Sequence, residues 1–256
     1  MGPDAIAERA NALYGHVDWA AATGLLHVAA IHGPSGRILA IGPASPPSPT
    51  DRFVLGLARA RADVLVTTGS ILRAEPDLVH RYAEVAADDR AMGEWRRRTL
   101  GLEAPPRLLV LSATGRFPSD HPALVSGSGW IWTTGKGARE IGDPPPGFSV
   151  VTAPRGRDSA AHAVAWLREQ WLAAEREATI LLEAGPSTTR AFYEEDATAP
   201  LDELLLSRFE GAIAEAAEGP AFVSAEARGA RLGEARSACV VAEPSGRWVF
   251  ERFRRA

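Results

Sequence analysis

Apolar residues are arranged along the chain in two patterns that alternate. Short uninterrupted apolar runs, rich in β-branched residues, are typical of buried parallel strands. They occupy residues 25–31, 62–67, 108–112, 130–134, 148–152 and 179–182. Between them, helical spacing of apolar positions predicts helices within residues 4–21, after a cap at Thr50 or Asp51, over residues 77–100, and over residues 159–175 after a cap at Asp158. This alternation predicts one α/β domain.

The last part of the chain follows a different pattern. Residues 201–206 alternate enough to predict a strand nearer an edge of the sheet, and residues 219–233 have little periodicity and predict a loop. Residues 238–242 and 247–253 flank a Glu-Pro-Ser-Gly turn. This arrangement predicts an antiparallel hairpin at the end of the chain.

Two of the predicted strands run through a glycine turn into the start of a helix. The strand at 179–182 leads into residues 183–189 (EAGPSTT), whose three hydroxyls can cap a helix, and the strand at 62–67 leads into residues 68–70 (TGS). Unpaired amides at such a turn attract phosphate or pyrophosphate. One such turn alone is most often an ordinary connection. Two of them at strand ends of the same sheet predict a shared anion-binding crevice.

Composition narrows the class of protein. The chain has 256 residues and a net charge of −4, which provides no basic footprint for nucleic acid. Its one cysteine, Cys239, permits no internal disulfide and suits a reducing compartment. There is no apolar run of membrane-spanning length and no signal-peptide pattern at the start. We therefore expect a cytoplasmic protein that acts on a small molecule, without a nucleic-acid or membrane partner.

Several common chemistries lack their motifs. The sequence has neither an H-E-x-x-H motif nor cysteines at metal-ligand spacing, so no metal site is predicted. Neither G-x-S-x-G nor the G-x-G-x-x-G fingerprint after the first strand is present. Residues 135–137 (GKG) lack the spacing and the hydroxyl residue of a nucleoside-triphosphate loop.

Three side chains, Glu183, Glu75 and His32, are candidates for other roles. Glu183 follows a buried strand, where burial would raise its pKa or require a hydrogen-bond partner, and Glu75 follows the other glycine turn in a similar position. Each could instead anchor its turn. His32 lies at the carboxyl end of the first strand, where a ligand contact and a structural role are both open, whereas His27 is expected in the core. The two histidines face opposite sides of that strand, so they cannot share a metal.

The two glycine turns also resemble motifs of a known enzyme family. Residues 69–75 (GSILRAE) and 183–187 (EAGPS) are similar to motifs of the riboflavin-biosynthesis pyrimidine reductases, which form the reductase half of RibD-type enzymes, and of their dihydrofolate-reductase-like relatives. Further segments fit in the family's order, namely residues 106–112, 120–122 (DHP), 202–204 (DEL) and 248–255 (WVFERFRR). The resemblance runs from about residue 24 to the end of the chain.

The resemblance implies a fold, a cofactor and a set of site residues. The implied fold is dihydrofolate-reductase-like: a three-layer, mostly parallel mixed sheet flanked by helices, over residues 24–256, with residues 1–23 as a helical extension. NADPH is the implied hydride donor, and a homodimer is usual. The implied cofactor contacts are Thr67, Thr68, Gly69, Ser70, Arg73, Ser112, Ala184, Gly185, Pro186, Ser187 and Thr188. Glu183 and Glu75 are the candidate catalytic residues, and His32 and Glu75 the candidate substrate contacts.

The sequence departs from the family at Ala184, which stands where the family has a glycine. A Cβ there narrows the approach of the backbone to a pyrophosphate. The main prediction is an NADPH-dependent reductase of a pyrimidine, pterin-like or ribosylamino-pyrimidine compound. The alternative is a non-catalytic relative that binds a nucleotide or another ligand in the same crevice. A third possibility is an interaction module that uses the predicted helix at 77–100.

Overall fold

The computed structural model describes residues 2–171, 177–194 and 197–255. Within these residues, helices and strands alternate for most of the chain, as the apolar pattern predicts. The helices are α1 (Pro3–Tyr14), α2 (Pro49–Arg61), α3 (Gly69–Ala74), α4 (Ala86–Leu100), α5 (Pro122–Val125), α6 (Gly135–Ile141), α7 (Ala160–Trp171), α8 (Pro186–Thr189) and α9 (Ala225–Leu232). The strands are β1 (Gly24–His32), β2 (Arg37–Leu39), β3 (Val64–Thr68), β4 (Arg107–Leu111), β5 (Gly129–Thr133), β6 (Phe148–Thr152), β7 (Thr179–Leu182), β8 (Glu203–Phe209), β9 (Glu218–Ala221), β10 (Ala235–Glu243) and β11 (Gly246–Arg254).

The strands of the described residues form one mixed sheet. Its order is β10-β11-β8-β1-β7-β3-β4-β5-β6, with β2 paired to β1 and β9 paired to β2. From β8 through β6 the neighbouring strands run parallel. Strand β11 pairs antiparallel with β8. Strand β10 in turn pairs antiparallel with β11, with Val240 opposite Val249. The predicted mostly parallel mixed sheet and its C-terminal hairpin are confirmed.

Helices cover both faces of the sheet, which gives the predicted three layers. One face carries α1, α2 and α4, whose buried side chains include Leu57 and Trp95. The other face carries α7 and α9, which bury Val164 and Leu232 against Ile180 of the central strand β7. Strands buried on both faces need apolar residues at nearly every position. All four residues of β7 are accordingly buried.

The amino-terminal helix α1 packs into the main core. Its apolar face buries Ile6, Ala10 and Leu13, and the helix contacts α4, β10 and β11. The division into residues 1–23 and 24–256 stays a prediction. Among the described residues, no helix has both the length and the apolar character that crossing a bilayer requires.

Two helices begin at a different residue from the one predicted. Ser48 caps α2, since its Oγ accepts a hydrogen bond of 2.9 Å from Asp51 N, so Thr50 and Asp51 lie inside the helix. Pro49 takes the first helical position, where a missing N–H costs nothing. In α7, Ser159 Oγ accepts from His162 N at 3.3 Å, in place of the predicted cap at Asp158. The predicted end of this helix, residues 172–175, lies outside the described residues.

The long helix predicted over residues 77–100 is wrong in its first part, because α4 begins at Ala86. Residues 75–85, called here the connecting segment, are irregular. Its backbone N–H groups bond to a side chain rather than to helical carbonyl groups. Asp89 Oδ1 accepts from Tyr82 N at 2.7 Å and from Ala83 N at 3.2 Å. Helix α4 packs against α1 and α2 and buries Trp95, so one side of it belongs to the core, while Arg90, Arg97 and Arg98 on its other side are exposed.

Two predictions for the last part of the chain are also wrong. Strand β8 does not lie near an edge, because it pairs with β1 on one side and β11 on the other and is almost completely buried. Residues 219–233, predicted as a loop, contain most of β9 and the whole of α9. Small residues and glycines weaken the apolar periodicity of this stretch, although Leu232 still buries into the core.

Candidate functional site

The two glycine turns lie side by side at one edge of the sheet. Strands β3 and β7 are parallel neighbours, with Val66 opposite Leu182. The ladder continues one step further, where Glu183 N donates to Val66 O at 2.9 Å. The turns that begin at Thr68 and Glu183 therefore start from adjoining strand ends. The expectation that they converge is confirmed.

The turn after β3 is held by its own hydroxyls. Thr68 Oγ1 caps α3 by accepting from Ile71 N at 3.2 Å and lies 2.7 Å from Ser70 Oγ. A Cβ at Gly69 would lie 3.0 Å from Ser112 Oγ, so glycine here allows the end of β4 to approach closely. Arg73 donates to Arg116 O, which ties α3 to the loop that follows β4.

The turn after β7 is more open. Gly185 is the N-cap of α8, no side chain caps the helix, and Pro186 takes its first position. The predicted capping by Ser187, Thr188 or Thr189 is wrong, because the helix starts before them. Gly185 has φ −64° and ψ 164°, which any residue adopts, and a Cβ there would meet nothing within 4 Å. The fold does not require this glycine, so its bare backbone is free for close approach by a ligand.

Ala184 is not strained by standing where the family has glycine. No non-glycine residue in the described part of the chain has a positive φ. The helices that follow the two turns are short, six residues in α3 and four in α8. A dipole built from so few peptides is weak, so the exposed turn amides, rather than the helices, would provide most of the attraction for an anion.

Glu183 is held by a buried ion pair beside these turns. Arg59 of α2 donates from Nε to Oε1 and from a terminal nitrogen to Oε2, each at 2.7 Å. His80 Nδ1 lies 3.5 Å from Oε2. Burial alone would raise the pKa of Glu183, but the Arg59 guanidinium and His80 hold that pKa far below its ordinary value. Glu183 is therefore a fixed carboxylate.

Glu75 lies close by in a different electrostatic state. It is half-buried at the end of α3, and its carbonyl oxygen accepts from His121 Nε2 at 2.9 Å. Burial and the neighbouring Glu183 carboxylate raise the pKa of Glu75, and Arg59, His80 and His121 only partly oppose them. Of the two candidate carboxyl groups, Glu75 is thus the one that takes up a proton more readily.

Thr67 completes this part of the site. It is fully buried and follows Val66 in β3, so it neighbours Glu183 on the adjoining strand. Its Oγ1 has no hydrogen-bond partner among the described residues. Buried hydroxyls usually have one.

His32 lies at the same edge but apart from the two turns. It ends β1, which borders β7 on the side away from β3. Its Nε2 lies 3.0 Å from Gly211 O, and its Nδ1 lies 2.9 Å from Ser35 Oγ and 3.5 Å from Glu218. Both ring nitrogens are thus engaged by the protein. His27 lies in the core as expected, where burial lowers its pKa to about 4 and its Nδ1 lies 2.8 Å from Tyr193 Oη.

Sequence reasoning missed three side chains of this site: Arg59, His80 and His121. The Arg59–Glu183 pair joins positions 124 residues apart, so no local spacing in the sequence indicates it. His80 lies in a stretch that was predicted to be helical, and His121 next to a proline in an irregular segment. Among the described residues, no group of three or more His, Cys, Asp and Glu side chains is arranged to hold a metal ion.

The structure is similar to solved structures of pyrimidine reductases. No family model and no curated protein matches the sequence. A pyrimidine reductase-like protein from Corynebacterium diphtheriae matches with a TM-score of 0.61 and 19% identity, over 96% of this chain and 98% of the other. RibD from Acinetobacter baumannii matches with a TM-score of 0.58 and 15% identity, over 91% of this chain and 58% of that longer chain. The riboflavin biosynthesis reductase of Saccharomyces cerevisiae matches with a TM-score of 0.52 and 10% identity, over 98% and 99%. The chain thus has the dihydrofolate-reductase-like fold of the RibD-type pyrimidine reductases.

Proposed function

We propose that the protein is an NADPH-dependent reductase of a small pyrimidine, pterin-like or ribosylamino-pyrimidine compound. The observation that carries the proposal is the position of the two glycine turns on the adjoining ends of β3 and β7. In open α/β sheets, ligands bind at the carboxyl ends of the strands. The similarity to riboflavin-pathway reductases supports the fold on which this proposal rests.

The proposed cofactor contacts lie along this edge. The pyrophosphate would lie against the backbone of Ala184 and Gly185, where the bare glycine leaves room. Ser70, Ser187 and Thr188 would supply hydroxyls, and Ser112 would face the adenosine end, since it lies beside Gly69 at the end of β4. Thr67, Thr68, Arg73 and Pro186 complete the proposed set. NADPH, when bound, supplies the hydride.

The protein's own contribution is to align the reactants and to balance charge. Hydride addition to a C=O or C=N carbon leaves negative charge on the heteroatom, which must take up a proton. Glu183 cannot donate that proton near neutral pH, because Arg59 and His80 keep it ionised. Glu75, with its raised pKa, carries a proton more readily and remains our candidate for the supply of protons and for contact with the substrate. We also propose His32 as an outer substrate contact, a homodimeric assembly and a cytoplasmic location.

A binding and turnover experiment tests the proposal. The purified protein is titrated with NADPH and with NADH while cofactor fluorescence is followed. It is then assayed for NADPH oxidation with 5-amino-6-(5-phosphoribosylamino)uracil. We expect micromolar binding that prefers the phosphorylated cofactor, and oxidation that depends on the pyrimidine.

The outcomes separate the candidate functions. Binding of NADPH without turnover of any pyrimidine or pterin would favour the non-catalytic relative that holds a nucleotide in the same crevice. Well-folded protein that binds neither cofactor would refute the reductase. The oligomeric state is measured in the same preparation by analytical ultracentrifugation.

A further inference from the structure

The connecting segment, residues 75–85, is fixed against the sheet edge that carries the two turns. Arg59 donates to Arg81 O at 2.9 Å, and His121 Nε2 lies 2.9 Å from Glu75 O. Gly56 of α2 permits the contact, since a Cβ there would lie only 2.0 Å from Tyr82 O. A segment bonded at both ends in this way holds the side chains between its anchors in place.

His80 is the side chain that this segment places against Glu183. Its side chain is only 6% exposed, and its Nδ1 lies 3.5 Å from Glu183 Oε2. A carboxylate only accepts hydrogen bonds, and the pKa of Glu183 lies far below its ordinary value. We therefore expect the nitrogen that faces the carboxylate to carry hydrogen, so that Nε2 is the nitrogen turned to a ligand.

The ring of His80 is buried, and among the described residues neither Nδ1 nor Nε2 makes a hydrogen bond. Nδ1 faces the Glu183 carboxylate at 3.5 Å, which leaves Nε2 as the nitrogen available to a ligand. Thr67 Oγ1, next to Glu183 across the β3–β7 pair, is in the same condition. Two unpartnered polar atoms at one strand edge are unusual in a protein interior, where such groups are nearly always paired. They are suited to receive polar atoms of a ligand.

Arg59 holds the whole arrangement together. Its guanidinium contacts both oxygens of Glu183 and also the carbonyl of Arg81, the residue after His80. One arginine thus fixes the carboxylate and the backbone that bears the imidazole. A base oriented by a second group, which is itself held by a third, is the usual construction of an acid–base catalyst.

We propose that His80 is the acid–base residue of this site, with Glu183 and Arg59 as its positioning residues. The proposal rests on the proposed reductase function. When the substrate carbon accepts a hydride with its two electrons, the π pair of the C=O or C=N bond moves onto the heteroatom. That heteroatom takes the proton from His80 Nε2 and becomes an alcohol or amine. The imidazole, now neutral and protonated on Nδ1, regains a proton from solvent.

The ionisable groups that interact with Glu183, Glu75 or His80 come from four segments. Glu183 follows β7, Arg59 belongs to α2, Glu75 follows α3, and His121 precedes α5. Glu75 is the half-buried member of this group and interacts electrostatically with His80. We expect its loss to slow turnover only a few-fold and the loss of His80 to slow it far more.

The first test uses the protein without any ligand. The six histidines are labelled with ¹⁵N and observed by NMR at alkaline pH, and His80→Gln identifies the resonance of His80. We expect the neutral ring of His80 to carry its hydrogen on Nδ1, whereas free histidine prefers Nε2. Hydrogen on Nε2 would overturn the proposal, because Nε2 would then not be the atom left free for proton exchange.

The second test compares H80Q with a histidine far from the site. H162Q is the matched control, because His162 lies at the start of α7 and bonds to Ser159. In H80Q we expect NADPH binding within about two-fold of wild type, and a fall in kcat of about 10²–10⁴-fold with loss of the alkaline limb of the pH profile, since only the protonated ring can donate. H162Q should retain wild-type values.

These experiments distinguish failure of the proposed reductase function from failure of the proposed role of His80. If wild-type protein binds no NADPH, the reductase function itself fails and the proton-donor role falls with it. If wild-type protein binds and turns over but H80Q keeps its rate and pH profile, only the role of His80 is refuted. A large loss in E75Q with none in H80Q would assign the proton to Glu75 and also overturn the proposal.

Discussion

Two buried glutamates at opposite ends of the central strands are held by arginine, but to different degrees. Glu203 begins β8 and receives bonds from Arg61, Arg252 and Arg254, with four N–O distances between 2.7 and 3.1 Å. Glu183 follows the end of β7 and receives two bonds of 2.7 Å from Arg59 alone, with His80 at 3.5 Å. The first carboxylate is saturated with donors from the protein, whereas the second belongs to a cluster that still has an unused ring nitrogen.

The difference follows the polarity of the parallel strands. At the amino ends of the strands, the Arg61–Glu203 pair is buried. The ring of Trp19 also covers Arg61, whose guanidinium carbon lies 4.8 Å from the ring centroid. At the carboxyl ends of the strands the chain turns outward and leaves bare backbone at Gly185. We therefore expect the same pair of residue types to serve stability at one end and the proposed ligand site at the other. Variants at the two ends should separate stability from binding.

The largest effect on stability is expected for Glu203→Gln. The substitution keeps the shape but leaves Arg61, whose side chain is 1% exposed, without a counter-charge. Removal of one partner from a buried ion pair costs about 3–5 kcal/mol, which we expect to measure as a lower free energy of unfolding in urea. If E203Q does not fold, R254A serves instead, because Arg254 is the more exposed partner and its loss should cost less. An E203Q protein as stable as wild type would show that the cluster is not a stabilising one.

The same cluster predicts how stability depends on pH. Burial would raise the pKa of Glu203, but Arg61 and Arg252 lower it to about 2. Because the folded pKa lies below the unfolded value of about 4.3, the contribution is complete above that value and is lost as pH falls towards 2, to a total of about 3 kcal/mol. Unfolding free energies of wild type and E203Q, measured from about pH 6 to about pH 3, should therefore approach each other as the pH falls. A constant difference between them would contradict this assignment.

Glu183→Gln should cost less stability than Glu203→Gln. Arg59 is 11% exposed and keeps its bond to the carbonyl of Arg81, so its charge is less isolated when the carboxylate is lost. We expect about 1–3 kcal/mol, measured in the same urea experiments, together with a loss of turnover. Equal losses of stability in E183Q and E203Q would remove the distinction between the two ends.

The sequence predicted the scaffold far better than the cluster at its edge. Apolar runs such as residues 179–182 locate the buried strands, because a strand covered on both faces needs apolar side chains throughout. The order of strands and turns then brings Gly69 and Gly185 together. Glu183 pairs with Arg59 across 124 positions of the chain and Glu203 pairs with Arg61 across 142 positions, so local spacing does not indicate either ion pair.

His80 shows why the remainder could not be found from the sequence. Local propensity favours a helix over residues 77–85, but bonds from Arg59 and Asp89 hold the backbone in an irregular path. Tertiary hydrogen bonds thus override the local preference. A prediction from sequence that does not contain this backbone path cannot place His80 relative to Glu183.

Gly185→Val should have the opposite effect to the one expected for Glu203→Gln, because it should weaken NADPH binding while leaving stability unchanged. A side chain there meets no protein atom within 4 Å, and the backbone angles suit any residue. In the crevice, however, it would occupy the place of the pyrophosphate, so we expect NADPH to bind at least about ten-fold more weakly, or about 1.4 kcal/mol. Gly229→Val in α9 is the matched control, since its Cβ also points into open space. Normal NADPH binding by G185V would place the site elsewhere.

The smallest effect is expected for Ala184→Gly. Ala184 has an ordinary negative φ, so the fold gains nothing from glycine and loses about 0.5–1 kcal/mol of stability through added chain entropy. Removing the methyl group lets the backbone approach the pyrophosphate more closely, and NADPH should bind a few-fold more tightly in fluorescence titrations. If NADPH binds A184G and wild type equally, the methyl group does not obstruct the cofactor. If neither protein binds NADPH while both are folded, the crevice serves a different ligand, and Ala184 is then a residue suited to that ligand rather than a defect in a pyrophosphate turn.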